Sequence, residues 1–202
     1  MSKVATDISM SLDGYVTGPD PNLERGLGRG GEAIHGWVFA SHESPADRAF
    51  LEAAESSTGA VIMGRRTFDF VDGPHGWNQD IGYAYDQPIT ATPPIFVVTH
   101  RQPARTRHET GFRFITDGIE SAVAQAQVAA ESGEVVIMGG GETISRAIDA
   151  GVVDEVRIHL SPVLMGSGTS LFELIDKQTQ LTQIDAVVTD NATHLTYRVG
   201  AG

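Results

Sequence analysis

Three short segments of the chain put glycines, cations and hydroxyls where a phosphorylated ligand could be held. In Met138-Gly139-Gly140-Gly141-Glu142-Thr143 the glycines part an apolar run from a helical pattern, so bare backbone N–H groups and a helix dipole would face a diphosphate. Close backbone packing at a strand end is the other role for such glycines. Val61-Ile62-Met63-Gly64-Arg65-Arg66-Thr67 repeats the order of strand, glycine and helix, now with two guanidiniums that suit phosphate oxygens. Adjacent surface arginines are, by themselves, more often only solvated. Val97-Val98-Thr99-His100-Arg101 adds a hydroxyl and two potential cations at a strand's carboxyl end, where open α/β sheets bind ligands. Five of the 14 basic residues are Arg65, Arg66, Arg101, Arg105 and Arg107, a local positive patch in an acidic chain. The three segments together fit a nucleotide cofactor better than any one does. Gly26-Leu27-Gly28-Arg29-Gly30-Gly31 also satisfies G-x-G-x-x-G, with Asp47 further on, but no strand delivers it to a helix. It reads as a flexible loop.

The elements that must position these segments alternate between short β-branched runs and helical patterns, which predicts an α/β fold with a mostly parallel sheet. Strands are expected at residues 4–9, 60–63, 94–99, 112–116 and 134–138. A helix capped by Ser44, with Pro45 in its first turn, should reach residue 57. A short helix begins near Gly64, an Ala-rich one opens at Asp117-Gly118-Ile119-Glu120 with a capping-box pattern, and another spans 142–150 before Gly151. Residues 18–43 and 72–94 form long loops, the kind that serve as lids or binding segments. Trp37 and Trp77 lie in them, to stack on a flat ring or to anchor the loop. The last quarter is extended at 153–164, 181–189 and 193–199, with a hairpin turn at Asp190-Asn191, so the sheet should end in antiparallel strands. His159 and His194 in those strands are expected at the sheet surface or a subunit contact.

With 202 residues, 41% hydrophobic and 20% charged, a single domain over 1–202 is expected. The absence of cysteine excludes a disulfide scaffold, a thiol nucleophile and Cys-ligated zinc, including that of a fused deaminase domain. Fourteen basic against 26 acidic residues give −12, which opposes nucleic acid and anionic membranes as partners. No apolar run approaches the roughly 20 residues of a membrane span, and the start MSKVATDISMSLDG lacks a signal-peptide pattern, so a cytoplasmic location is expected. Neither H-E-x-x-H nor G-x-S-x-G occurs, and no metal site is expected.

The segments SLDG, VIMGRRTF, IFVVTHR, VVIMGGGETI and VDEVRIHLSPVLMGSGTSLF, in that order over nearly the whole chain, resemble the dihydrofolate reductase-like superfamily. The likeness is stronger to the branch of the riboflavin-biosynthesis reductase domain and its stand-alone relatives. That resemblance implies a three-layer α/β/α fold, NADPH as cofactor, and hydride transfer to a C=N or C=O bond of a pteridine-like or other small heterocycle. It also implies a homodimer. True dihydrofolate reduction, or nucleotide binding without turnover, are the alternatives. Carried over by position, Gly64, Arg65, Arg66 and Thr67 match the segment holding diphosphate and adenosine phosphate, and Thr99, His100 and Arg101 the strand end gripping the adenine-ribose phosphate. Gly139, Gly140, Gly141, Glu142 and Thr143 match the turn beneath the diphosphate, and Val16 and Thr17 the backbone that meets the nicotinamide. Ile144 stands where folate reductases commonly carry an aromatic residue. The resemblance offers two catalytic carboxylates. Asp47, early in the first long helix, would assist protonation with a pKa raised by burial, or simply complete the cap. Asp13 of SLDG is the rival, with a turn carboxylate bonded to its own backbone as its plainer role.

Overall fold

A computed structural model describes residues 1–84, 88–108 and 111–200. Its strands are β1 (Val4–Ser11), β2 (Thr58–Gly64), β3 (Ile95–Val98), β4 (Phe112–Ile115), β5 (Glu134–Gly139), β6 (Glu155–Ser161), β7 (Leu181–Val188) and β8 (Thr193–Val199). They form one eight-stranded sheet in the order β4-β3-β2-β5-β1-β6-β8-β7. All pairings from β4 to β6 are parallel, and β8 runs antiparallel to both β6 and β7. The helices are α1 (Gly36–Phe39), α2 (Pro45–Ser57), α3 (Arg65–Val71), α4 (Ile119–Ala129) and α5 (Gly141–Asp149). The fold is an α/β/α arrangement with a mostly parallel sheet that ends in antiparallel strands, as the sequence predicts.

Helices cover both faces of the central strands, so Ala60, Val61, Ile62 and Met63 of β2 are wholly buried although they alternate between faces. On one face Ile62, Phe96, Val135 and Ile137 pack with Ala122, Ala126, Ile144 and Ile148 of α4 and α5. On the other, Val61, Met63, Ile95 and Val97 pack with Phe68 and Val71 of α3 and with Trp77 and Tyr83 of the following loop. Beyond β5 the two faces differ in chemistry. Val4, Val156 and Ile158 turn to the apolar side, whereas the alternate positions Ser9 and His159, with His194 opposite His159 on β8, are polar and nearly buried.

The start of α2 follows the sequence, with Ser44 as the cap accepting the Asp47 N–H at 3.3 Å and Pro45 in the first turn. The start of α4 does not. This helix begins one residue later than a capping box requires, leaving Gly118 at the cap with φ +95° and no side-chain bond. Asp117 therefore falls outside the cap. The long loop 18–43 contains a 3-10 turn at Gly31–His35 and then α1. Its glycine-rich part is a loop, as expected, but a closely packed one: a side chain on Gly28 would meet the Pro19 and Gly18 carbonyl oxygens at 2.5 and 2.7 Å. Among the described residues, no helix is long and apolar enough to cross a membrane.

Candidate active site

The glycine turns come together because β2 and β5 are neighbours and run parallel, which brings their carboxyl ends side by side. Room there exists only for backbone. A side chain on Gly64 would collide with the Thr143 hydroxyl, and one on Gly141 would meet the Ser170 carbonyl at 2.9 Å and Val16 at 3.3 Å. A side chain on Gly140 would reach the Thr67 hydroxyl at 3.3 Å. Gly64, Thr67, Gly139, Gly140, Gly141, Thr143 and Val16 thus enclose one cradle. Thr17 fixes Val16 in place: its hydroxyl accepts the Thr169 N–H at 2.8 Å while Val16 N–H donates to Thr169 O at 2.9 Å. Glu142, at the start of α5, pairs with Arg146 at 3.0 Å on the exposed surface.

β3 lies beside β2 and adds cations to the rim. Arg65 donates through Nε to Asp69 at 2.7 Å and through Nη1 to the Arg101 carbonyl at 2.9 Å, tying α3 to the end of β3. The Thr99 hydroxyl donates to the same carbonyl at 2.9 Å, so the turn that carries His100 and Arg101 is held from two sides. Arg66, His100 and Arg101 are exposed. Arg107 leaves the patch: its guanidinium donates to the backbone oxygens of Val71, Asp72 and Trp77 and anchors the loop after α3. A side-chain-free turn at a helix start, edged by arginines, suits the diphosphate and extra phosphate of NADPH. The residues therefore fit that cofactor.

Next to the cradle lies a cavity of about 250 Å³, on the face covered by α2. Ile8 and Met138 belong to its wall, and both border Gly139. Trp37, Phe50, Trp77 and Tyr83 supply flat apolar surface, and Asp7, His35 and His159 supply the polar groups. Both tryptophans are buried, so each anchors its loop and faces the cavity at once. The Trp37 indole N–H donates to Ser9 at 2.9 Å. His35 is unusual: its Nδ1 is buried with no partner among the described residues. Burial, then the nearby His159 charge, lowers its pKa from 6.5 to about 4, so the ring is neutral at ordinary pH.

The two carboxylates taken from the resemblance sit elsewhere. Asp47 is wholly buried, but it is outside the cavity wall and its side chain is bonded beyond the cap, accepting from Asn191 at 2.7 Å and His194 at 2.8 Å. Burial alone would raise its pKa. The Asn191 and His194 hydrogen bonds outweigh that, and the pKa is lowered, the reverse of the expected shift. Asp13 is exposed and reaches across to a distant loop, accepting from the N–H groups of Met165 at 3.0 Å and Gly166 at 2.7 Å. With the Ser11 hydroxyl, these bonds lower its pKa to about 2. Its plainer role holds and is enlarged: besides bonding its own turn, at Ser11 and its own backbone, the carboxylate closes a loop 152 residues away in the chain. Ile144 is fully buried in the core, where an aromatic ring would need different packing.

Among the described residues the carboxylate that faces the cavity is Asp7, which sequence reasoning passed over. Asp7 Oδ1 accepts from His159 Nε2 at 3.0 Å, the Nδ1 atoms of His159 and His194 lie 2.6 Å apart, and His194 Nε2 donates to Asp47 Oδ1 at 2.8 Å. His159 and His194 are therefore interior residues, and this corrects their expected place at the sheet surface or a subunit contact. Phe50 stacks on His194 with ring centroids 3.9 Å apart, and Trp37 lies 4.3 Å from His159. One signal was available. Asp7, Ser9 and Ser11 recur at every second position of a strand whose intervening residues are apolar, marking a buried polar face.

The family model of the RibD C-terminal domain matches residues 2–195. An uncharacterized protein of Bacillus subtilis (strain 168), YyaP, is 23% identical over 189 residues, covering 91% of this chain and 87% of its own. A Shewanella sp. PV-4 structure described as "Putative riboflavin biosynthesis protein" superposes with a TM-score of 0.70 at 22% identity, over 100% of both chains. A dihydrofolate reductase from Enterococcus faecalis, solved with NADP(H), superposes with a TM-score of 0.57 at 16% identity, covering 98% of this chain and 97% of that one.

Proposed function

The chain belongs to the RibD C-terminal domain family, and on that premise we propose that it is an NADPH-dependent reductase acting on a C=N or C=O bond of a small flat heterocycle. One observation carries this reading: the cation-edged glycine cradle and the aromatic cavity meet at Ile8 and Met138, which line the cavity and border Gly139. A cavity of about 250 Å³ suits one ring system of pteridine size. NADPH, bound in the cradle, would supply the hydride.

The chain's own residues do the rest. Gly64 and Gly139 to Gly141 let phosphate oxygens approach backbone, while Arg65, Arg66, His100 and Arg101 balance their charge. With Asp69 and Glu142 each already paired to an arginine, the remaining cations at this rim favour NADPH over NADH. Trp37, Phe50, Trp77 and Tyr83 orient the heterocycle by stacking and keep water from the reacting bond. Asp7 and neutral His35 are the polar groups that can select its edge. By resemblance the protein works as a homodimer, for which β7 offers an exposed edge strand; sedimentation as a monomer would remove that element.

The test is anaerobic oxidation of NADPH, followed by absorbance, with oxidised pterins, aminopyrimidine derivatives and dihydrofolate in turn. Turnover of any of these over the protein-free rate is expected. Failure of the whole panel, together with failure to bind NADPH, would sink the reductase reading.

A further inference from the structure

The four side chains Asp7, His159, His194 and Asp47 form a continuous hydrogen-bonded row from the cavity wall to α2. Carboxylates only accept, so the Nε2 atom of each histidine must carry a proton toward its aspartate. That leaves two Nδ1 atoms facing each other at 2.6 Å. If both were bare, two lone pairs would be in contact with nothing between them. The contact requires one proton there, giving three N–H protons on two rings that hold two when neutral. We propose that this row holds one proton in excess on the buried imidazoles and passes one on, through Asp7, to a ring nitrogen or carbonyl oxygen of the heterocycle in the cavity.

The surroundings favour such storage. Two carboxylates flank a single shared positive charge, leaving the row at −1 in a site that water barely reaches. Burial and the His159 charge lower the His194 pKa against the pull of the Asp47 hydrogen bond, and His159 is the ring nearer the cavity. Burial works against ionisation of Asp7, but the His159 charge and hydrogen bond, then the charges of Arg157 and His194, outweigh it. The other titratable groups facing the row are His35, which repels a charge on His159, and Tyr83 near Asp7. Among the described residues no group of His, Asp or Glu converges as a metal site would, so the row is a chain of donors and acceptors. Asp7 Oδ2 has no partner among the described residues and is the atom available to a ligand.

Delivery rests on the reductase reading; storage does not. In reduction of a C=N bond the carbon gains a hydride from the nicotinamide, which is oxidised. Asp7 Oδ1 takes the proton of His159 Nε2, and the carboxyl, turning about its Cβ–Cγ bond, gives that proton to the nitrogen. The proton between the two Nδ1 atoms stays in place, and solvent restores the one lost. Asp7 is then the catalytic residue, and His194 and Asp47 are positioning residues that keep the store filled.

Both halves can be read without cofactor or turnover. In protein labelled with 15N-histidine, NMR should show one strongly downfield proton correlated with the Nδ1 of both rings, persisting to about pH 8. Asp47→Asn, which keeps the side chain's shape but removes one flanking charge, should lose that proton roughly one pH unit lower. His194→Phe, which keeps the stacking on Phe50, should lack it altogether. Two neutral rings with no shared proton in folded wild-type protein would overturn the proposal. Delivery is read with 2,4-diaminopteridine, a weakly basic heterocycle whose ultraviolet spectrum reports its protonation. Wild type should hold it protonated at a pH where the free compound is neutral, and His194→Phe should hold it largely neutral. Bound but neutral probe in wild type would overturn delivery alone, whereas no binding beside an intact shared proton would count against the heterocycle reading itself.

Discussion

The cofactor cradle and the heterocycle cavity adjoin, yet they are built by opposite means. The cradle is made by removing side chains: glycines at the ends of β2 and β5, where a methyl group would strike Thr143 or Ser170. The cavity instead borders a row of buried or half-buried side chains that would rather be in water, Asp7, His159, His194 and Asp47, each held by the next. The cradle's arginines are exposed or half-exposed and should affect ligand binding with little effect on the fold. The cavity's polar row is part of the core, so its loss should affect stability as much as chemistry.

The largest expected effect follows from that contrast. Asp47→Ala leaves a buried histidine without its acceptor and should cost about 3–5 kcal/mol in denaturant unfolding. A loss below about 1 kcal/mol would mean that the row does not tie α2 to β8.

How far each region was legible in the sequence follows the same division. Glycines and arginines at strand ends are local features, so Gly64 to Thr67, Thr99 to Arg101 and Gly139 to Thr143 were readable from neighbours in the chain. The strand order could follow too, because alternating strands and helices leave few parallel arrangements. The polar row joins residues up to 152 apart in the chain, and the register that sets Ser9 beside His159 and His159 beside His194 is not written in any one segment. Asp47 shows the limit well. Its helix-cap position was correct, but the partners that lower its pKa lie on the far hairpin, at Asn191 and His194.

A second prediction probes the cavity wall through pH. The folded His35 value, about 4, lies below its unfolded 6.5, so between these values the unfolded chain binds more protons and stability falls as pH falls. The loss attributable to this ring should approach about 3 kcal/mol near the lower end and be absent above the unfolded value. Unfolding curves of wild type and His35→Asn at neutral and mildly acid pH should show the variant less sensitive; equal slopes would place His35 in contact with water.

At the cradle, Arg65→Ala and Arg101→Ala should each weaken NADPH roughly tenfold to a hundredfold, with NADH nearly unchanged and unfolding within about 1 kcal/mol of wild type. Equal loss for the two cofactors would contradict the phosphate role. The smallest effect is expected at Asp13, which belongs to neither region. Asp13→Asn should speed amide exchange at Met165 and Gly166, and in wild type the same protection should fade as pH drops from 3.8 toward about 2, with the cofactor site undisturbed.

The most direct measurement is a titration of the purified protein with NADPH and with NADH, following nicotinamide fluorescence. Saturable binding, tighter for NADPH and blunted toward the NADH value by Arg101→Ala, is the predicted result. Binding of neither nucleotide would contradict the assignment of the glycine cradle, and with it the account of the chain as an NADPH-dependent reductase.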